Sequence, residues 1–381
     1  MDLMLIIPVM NSRNKFKLFI FAIMLPVFVS CEKEEVEVSR EKVLLVYMGT
    51  DNNLSPETYE QIKALRKGWD ALRSGVLYIY ADPADDRPFL LKIGQEEGVD
   101  VQKVIYEYKE SNSADKDILA SVIDDVKALH TPGTVESYGL LVFSHASGWL
   151  PLKALTETEA RSIIIDQEQE MELVDFANAL PDHFFDFIIF DACFTAGIEL
   201  VYELRNKANF IVGSSAEILT PGYTPYYPEV LNYLFQPRLD LVSFIQTIFD
   251  GINAQSGDDR SATFSIIKTS ELKPLRDFVH SHCDFTKKTD ISTIQDFGRY
   301  QFRSLFFDFG AYYASLLNTK DEVAMLSGLI GNCLIYRKKT PYFLFGDDGF
   351  MINQHSGMTT YIEQQRYPQL NKAWSKLAWR K

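Results

Sequence analysis

Residues 185–194 read FDFIIFDACF. The run is apolar except for Asp186, and it stops abruptly at Asp191, Ala192 and Cys193. A short apolar run without strict alternation is the pattern of a strand covered on both faces, as in a parallel sheet. Such a strand here ends on a carboxylate and a thiol two residues apart. Cysteine is a small hydrophobe and is commonly buried for that reason alone. The carboxyl edge of an open α/β sheet is also where ligands collect, so the same thiol is a candidate nucleophile.

Working outward, the same pattern recurs. KVLLVYMGT (42–50), VLYIYAD (76–82), YGLLVFSHASGW (138–149) and NFIVGSS (209–215) read as further buried strands with the turns that follow them. RPFLLKIG and VQKVIYEY read as a strand pair. Between them lie helical patterns: PETYEQIKALRKGWDALRSG with Gly75 as its stop, and 114–130 with Ile118, Val122, Ile123 and Val126 on one stripe. MELVDFANALP and GIELVYELRNKA are helical as well. The alternation predicts an α/β fold, a mainly parallel sheet flanked by helices. From about residue 240 the chain is more helical, with a strand at ATFSIIKT (262–269) and a closing strand at GMTTYI (357–362). A long polar segment, 152–170, intervenes between two of the central strands.

The N-terminus stands apart from the fold. Residues 11–17 are basic, and 18–29, LFIFAIMLPVFV, are almost purely apolar. That run is short for a membrane span and has the flanks of a secretory signal, with Met10 as the expected initiator. Phe28, Val29, Ser30 and Cys31 resemble a bacterial lipobox, although Leu is usual where Phe28 stands. Cys31 is then the lipidated first residue of the mature chain; the alternative is an incidental cysteine beside an ordinary cleavage site. The organisation expected is a signal peptide and lipobox at 1–31 and an acidic tether at 32–41. A core at 42–235 and a C-terminal part of the same domain at 236–381 follow. The expected location is a cell envelope, at the outer membrane, through a lipid anchor.

Composition bounds the partners. The 381 residues carry a net charge of −14, which argues against nucleic acid. Besides Cys31 and Cys193, the cysteines are Cys283 and Cys333, which could pair or lie apart as buried thiols. No CxxC and no Cys/His cluster has zinc spacing. Of the histidines, His145 follows the strand LLVF, as Cys193 follows FIIF. If the two strands are parallel neighbours, both side chains emerge at one sheet edge, where imidazole can serve as base and later as acid. His130, His183, His280, His282 and His355 read as surface or capping residues.

VYMGTDNNL, SHASGW, DACFTAGIELVYEL, SSAEILTPGYTPY and SGMTTYI come in the order seen in clostripain-like cysteine peptidases, which the chain resembles over roughly 42–235, with a looser echo near 357–375. The resemblance implies a caspase-like fold with a divergent helical C-terminal extension. It implies a dyad of His145 as base and acid and Cys193 as nucleophile, with backbone N–H groups of Ala146 and Cys193 facing the oxyanion. Where the family has Gly after the histidine, this chain has Ala146, whose loop is shaped less freely. The resemblance also implies cleavage of polypeptides after Arg or Lys. Asp191 stands at the family's acidic position, and Glu217 is a weaker second candidate; the other reading of Asp191 is a helix cap. Family members often mature by cutting themselves, which makes Lys153 and Arg161 candidate cleavage sites. Calcium is known in the family, though no EF-hand loop occurs here, and no cofactor is needed for the chemistry. The DNN turn at 51–53 lies at the same sheet edge. The alternative function is a catalytically silent surface lipoprotein that binds peptide or glycan in the same cleft.

Overall fold

The apolar run at 185–191 is a strand with partners on both sides. The computed structural model describes residues 41–109, 112–151, 163–167 and 169–381, which fall within one compact unit, Ser39–Lys381. Cys31, Lys153 and Arg161 lie outside the described residues, as does the signal segment.

Nine strands make the central sheet: β1 (Glu41–Thr50), β2 (Val76–Pro83), β3 (Phe89–Glu96), β4 (Val99–Glu107), β5 (Val135–Phe143), β6 (Phe185–Asp191), β7 (Ala208–Gly213), β8 (Thr263–Lys268) and β9 (Leu334–Lys339). Their order is β9-β8-β7-β6-β5-β1-β2-β3-β4. The run from β7 to β2 is parallel, and antiparallel pairs close both edges. The mainly parallel sheet expected from the apolar runs is therefore present.

Alternation assigns each strand residue to one of two cores. Leu45, Tyr47, Leu140, Val142, Ile188 and Phe190 face one layer, with Leu119, Val122, Ile123 and Val126 of helix α2 (Lys116–Ala128). Leu44, Val46, Met48, Leu141, Phe187 and Ile189 face the other, with Ile62, Leu65 and Trp69 of helix α1 (Ser55–Leu72). Burial of each such side chain is worth about 1.5–3 kcal/mol, so a one-residue slip would exchange two whole cores and is strongly disfavoured. Helix α1 starts directly after the turn that follows β1, with Pro56 in its first turn, and stops at Arg73, which has φ 49° and donates its N–H to the Trp69 carbonyl.

The C-terminal part belongs to the same sheet, since β8 pairs with β7 and β9 with β8. Two expectations fail, one in this part and one between the central strands. Leu334–Lys339 supplies the edge strand, whereas GMTTYI contributes only Thr359–Thr360, paired with Phe307–Asp308 outside the central sheet. The segment expected to be polar at 152–170 ends in a hairpin, Ile164–Asp166 with Gln169–Met171, in which Ile163, Ile164 and Ile165 are buried. Cys283 and Cys333 are free buried thiols, and burial pushes both up to about 12. His355 is half-buried: it packs on Phe297 and meets the Ser215 hydroxyl at 3.3 Å. His130 stands edge-on to Tyr78 and Tyr138.

Candidate active site

Register brings the site together. In the parallel pair β5–β6 the last matched residues are Phe143 and Asp191. His145 and Cys193 each lie two residues beyond that pair, so the two turns leave the sheet level with each other. Both residues are half-buried and line one small cleft with Leu54, Asp191 and the loop 218–222.

On the histidine side, the Ser144 hydroxyl donates to the Gly49 carbonyl at 3.3 Å and accepts the Ile165 N–H at 3.1 Å. It fastens the start of the turn to β1 and to the hairpin. Gly148 has φ 63°, and a Cβ there would stand 2.6 Å from the Phe194 carbonyl oxygen, so this close approach of the two turns requires glycine. His145 Nε2 lies 2.7 Å from Asn53 Oδ1.

On the cysteine side, Phe194 takes φ 57° and is buried, stacked on Phe306 at 4.2 Å. A left-handed conformation at a non-glycine residue is strained, and it persists only where packing over-determines it. The turn is also pinned by backbone bonds from Phe194 N–H to Ala216 and from Ala196 N–H to Ser214. The Ile218 N–H points at Cys193 Sγ, 3.3 Å away. The Cys193 thiol also faces the Ile218 carbonyl, 3.8 Å away, so this one residue holds the sulfur through both its backbone groups.

Asp191 is buried at the base of the cleft. Its Oδ2 accepts from the Tyr223 N–H at 3.0 Å and the Tyr227 hydroxyl at 3.2 Å, with Gln61 Nε2 at 3.5 Å. Its Oδ1 has no hydrogen-bond partner among the described residues. Burial pushes the carboxyl up to about 7, against the two hydrogen bonds that favour its charged form. It does not cap the helix that follows, Ile198–Glu203, whose N-cap is Gly197. Glu217 is engaged elsewhere, in an ion pair with Arg299 at 2.7 Å that ties the start of the 217–222 loop to the C-terminal part of the chain.

Sequence reasoning did not find Gln61, Tyr223 and Tyr227 around Asp191. They come from α1 and from the segment after β7, and no local signal marks them. The turn at 51–53 lies at the edge expected of it, but its bond to His145 was not foreseen.

For a metal, the described residues offer no group of three or more His, Cys, Asp or Glu side chains. The nearest approach is the buried pair Asp82 and Asp166, both of which receive the Ser113 N–H. Burial and their mutual contact push Asp82 up to about 9. The Ser113 N–H between the two carboxyls and the raised Asp82 suit a proton shared by the pair better than a cation held by it.

The arrangement is a thiol, an imidazole and backbone donors at one sheet edge, with an acid beneath. The clostripain family (peptidase C11) model matches residues 46–319. The chain belongs to the clostripain family. It is thus a C11 cysteine peptidase, and the family match runs past the 42–235 that carry most of the sequence motifs. Among solved structures, this clostripain-family chain is similar to an inactive zymogen C11 protease from Parabacteroides distasonis, at 28% identity and TM-score 0.76, over 90% of this chain and 97% of that one. It is also similar to a secreted C11 cysteine protease from Bacteroides thetaiotaomicron in complex with an irreversible peptide inhibitor, at 26% identity and TM-score 0.76, over 89% and 97%. A third likeness, at 20% identity, shows the fold alone. None of the curated proteins compared matches the chain. The caspase-like fold is that of the C11 protease structures.

Proposed function

We propose that this clostripain-family chain is a secreted, lipid-anchored cysteine endopeptidase that cleaves polypeptides after Lys or Arg through a His145–Cys193 dyad. The observation that carries the reading is the β5–β6 register, which sets the two side chains equally far beyond Phe143 and Asp191 in one cleft. His145 takes the thiol proton. The Cys193 thiolate then attacks the scissile carbonyl, and the N–H groups of Ala146 and Cys193 face the developing oxyanion. The intermediate collapses to a thioester as His145 returns the proton to the leaving amine. Water, activated by the same imidazole, then releases the acid.

Preference for a basic side chain follows from Asp191. A buried carboxyl with an unpartnered oxygen gains most from an ammonium or guanidinium group, which would pair with it and draw its pKa back down. The cleft measures only about 40 Å³, so it holds a few waters and no lysine or arginine side chain. Substrate entry therefore requires the cleft to widen. A resting closed form accords with the inactive zymogen state of the P. distasonis relative, and maturation would cut at Lys153 or Arg161. Polypeptide as substrate accords with the peptide inhibitor held by the B. thetaiotaomicron relative. Anchorage in a bacterial envelope through Cys31 rests on the lipobox-like sequence, and fractionation of cells carrying Cys31→Ser tests it.

The deciding experiment labels the purified protein with a peptidyl ketone carrying Lys or Arg at P1, alongside fluorogenic substrates. Wild type should react, with Cys193→Ala and His145→Ala both folded and losing turnover by orders of magnitude. Absence of labelling in a wild-type chain already cut within 152–162 would favour a silent, peptide-binding relative.

A further inference from the structure

We propose that Asn53 is the positioning residue of His145, a third member that fixes which ring nitrogen faces the thiol. The proposal rests on the dyad reading above. It starts from the 2.7 Å contact between Asn53 Oδ1 and His145 Nε2. A carboxamide oxygen can only accept, so Nε2 carries the proton. Nδ1 is then the nitrogen that carries the lone pair and can accept the Cys193 proton. In the imidazolium that results, both nitrogens carry protons and the Asn53 contact persists, now charge-assisted. The same oxygen thus serves both states of the ring.

Asn53 is exposed, and an exposed side chain is ordinarily free to turn away from its partner. Here its backbone is held from both sides. Before it, the Asn52 side chain donates to the Ile165 carbonyl at 2.9 Å and accepts the Leu54 N–H at 2.9 Å, while Gln167 bonds Asp51 through its backbone N–H and its side chain. After it, Leu54 is buried and α1 begins at Ser55. With the backbone held on both sides, holding the ring costs chiefly the rotamer freedom of the Asn53 side chain. β1 is the sheet neighbour of β5, with Met48 level with Phe143, which puts this turn beside the histidine turn.

A neutral acceptor has a functional advantage over a carboxylate. It orients the ring without trapping the proton that His145 must hand to the leaving amine. Among the described residues, the titratable groups at this edge include Cys193 and Asp191 in the cleft, Asp51 on the same turn, and the Asp82–Asp166 pair beside it.

The test uses the full chain and two variants, Asn53→Ala and Asn53→Asp. Asn53→Ala should lower kcat by about ten- to a hundredfold, the worth of a hydrogen bond to a charged group, with KM little changed. The alkaline limb of its pH–rate profile should move to lower pH, because the imidazolium loses its acceptor. Asn53→Asp should move the same limb to higher pH and recover part of the lost kcat. Iodoacetamide alkylation of Cys193 against pH reads the same shifts in an uncut chain without turnover. A wild-type kcat and limb in Asn53→Ala would overturn the proposal. So would an equal fall in both variants with unmoved limbs, which is what a residue serving only the turn would give. Retained turnover in His145→Ala would instead overturn the dyad reading itself, so the two failures are distinguishable.

Discussion

Replacement of Asp191 by Asn should change how stability depends on pH, in a direction set by burial. In the folded protein this carboxyl is pushed from 3.8 up to about 7, with desolvation the dominant cause. A raised carboxyl pKa means that the native state holds a proton which the unfolded chain has already released. The stabilisation is complete below about pH 4 and is lost as the pH rises to about 7, after which the curve is flat for this group. Each unit corresponds to about 1.36 kcal/mol, so a shift of about three units makes the decline about 4 kcal/mol. The carboxamide of the variant cannot ionise. It can still accept from the Tyr223 N–H and the Tyr227 hydroxyl, and its amide nitrogen takes the place of the unpartnered oxygen. Urea unfolding of wild type and Asp191→Asn at pH 4, 5.5, 7 and 8 gives the difference. The variant should gain on wild type by up to about 4 kcal/mol from pH 4 to pH 8, while losing preference for Lys or Arg substrates. The shared pair Asp82–Asp166 is present in both proteins and cancels in the comparison. Parallel stability curves would refute the argument, because they would show that Asp191 is solvated or already paired.

Three more expectations rest on particular contacts. Gly222 has φ 63°, and a Cβ there would stand 2.4 Å from Asp191 Oδ1; Gly222→Ala should cost about 1–3 kcal/mol and weaken turnover of basic substrates, and a variant with unchanged stability and kinetics would show that the loop is soft at this point. Glu199 is buried and accepts from the Tyr361 N–H, the Thr360 hydroxyl and the Trp374 indole; Glu199→Ala strands three donors and should cost at least about 3 kcal/mol in urea unfolding, with Glu199→Gln milder, and equal losses in the two variants would contradict the bonding argument. Asp82, raised from 3.8 to about 9 beside Asp166, should make wild type lose stability progressively from about pH 4 up to about pH 9; Asp82→Asn should flatten that decline, and an unaltered decline would place the proton elsewhere.

Most of the central sheet was legible because its strands are buried on both faces, which leaves continuous apolar runs that few other structures produce. Equal spacing of His145 and Cys193 beyond two such runs was legible for the same reason. The edge was harder. LIYRKK follows directly on the helix Lys320–Cys333 and carries Arg337 and Lys338 into solvent, so it reads as a continuation of the helix and not as β9. The surroundings of Asp191 depend on residues 30 and more positions away, which no local periodicity marks. Asn53 offered a partial signal: a carboxamide directly beyond the strand that neighbours the histidine strand. Its role required knowing that β1 and β5 are adjacent.

The sheet order has one more consequence, for the fate of a nicked chain. Residues 152–162 join β5 to β6, and the order β9-β8-β7-β6-β5-β1-β2-β3-β4 divides at that junction into two contiguous halves. A cut there, by any protease, would leave β1–β5 with His145 and Asn53 on one fragment and β6–β9 with Cys193 and Asp191 on the other. Neither fragment would own a working centre. Their seam would be the β5–β6 ladder, both helical layers, and a clasp in which Gln167 of one fragment holds Asp51 of the other. Such a seam is a domain core cut in half, the kind of contact made by obligate partners. Nicking would show two bands under denaturing conditions and one particle under native ones, and separating the halves would abolish activity until they met again.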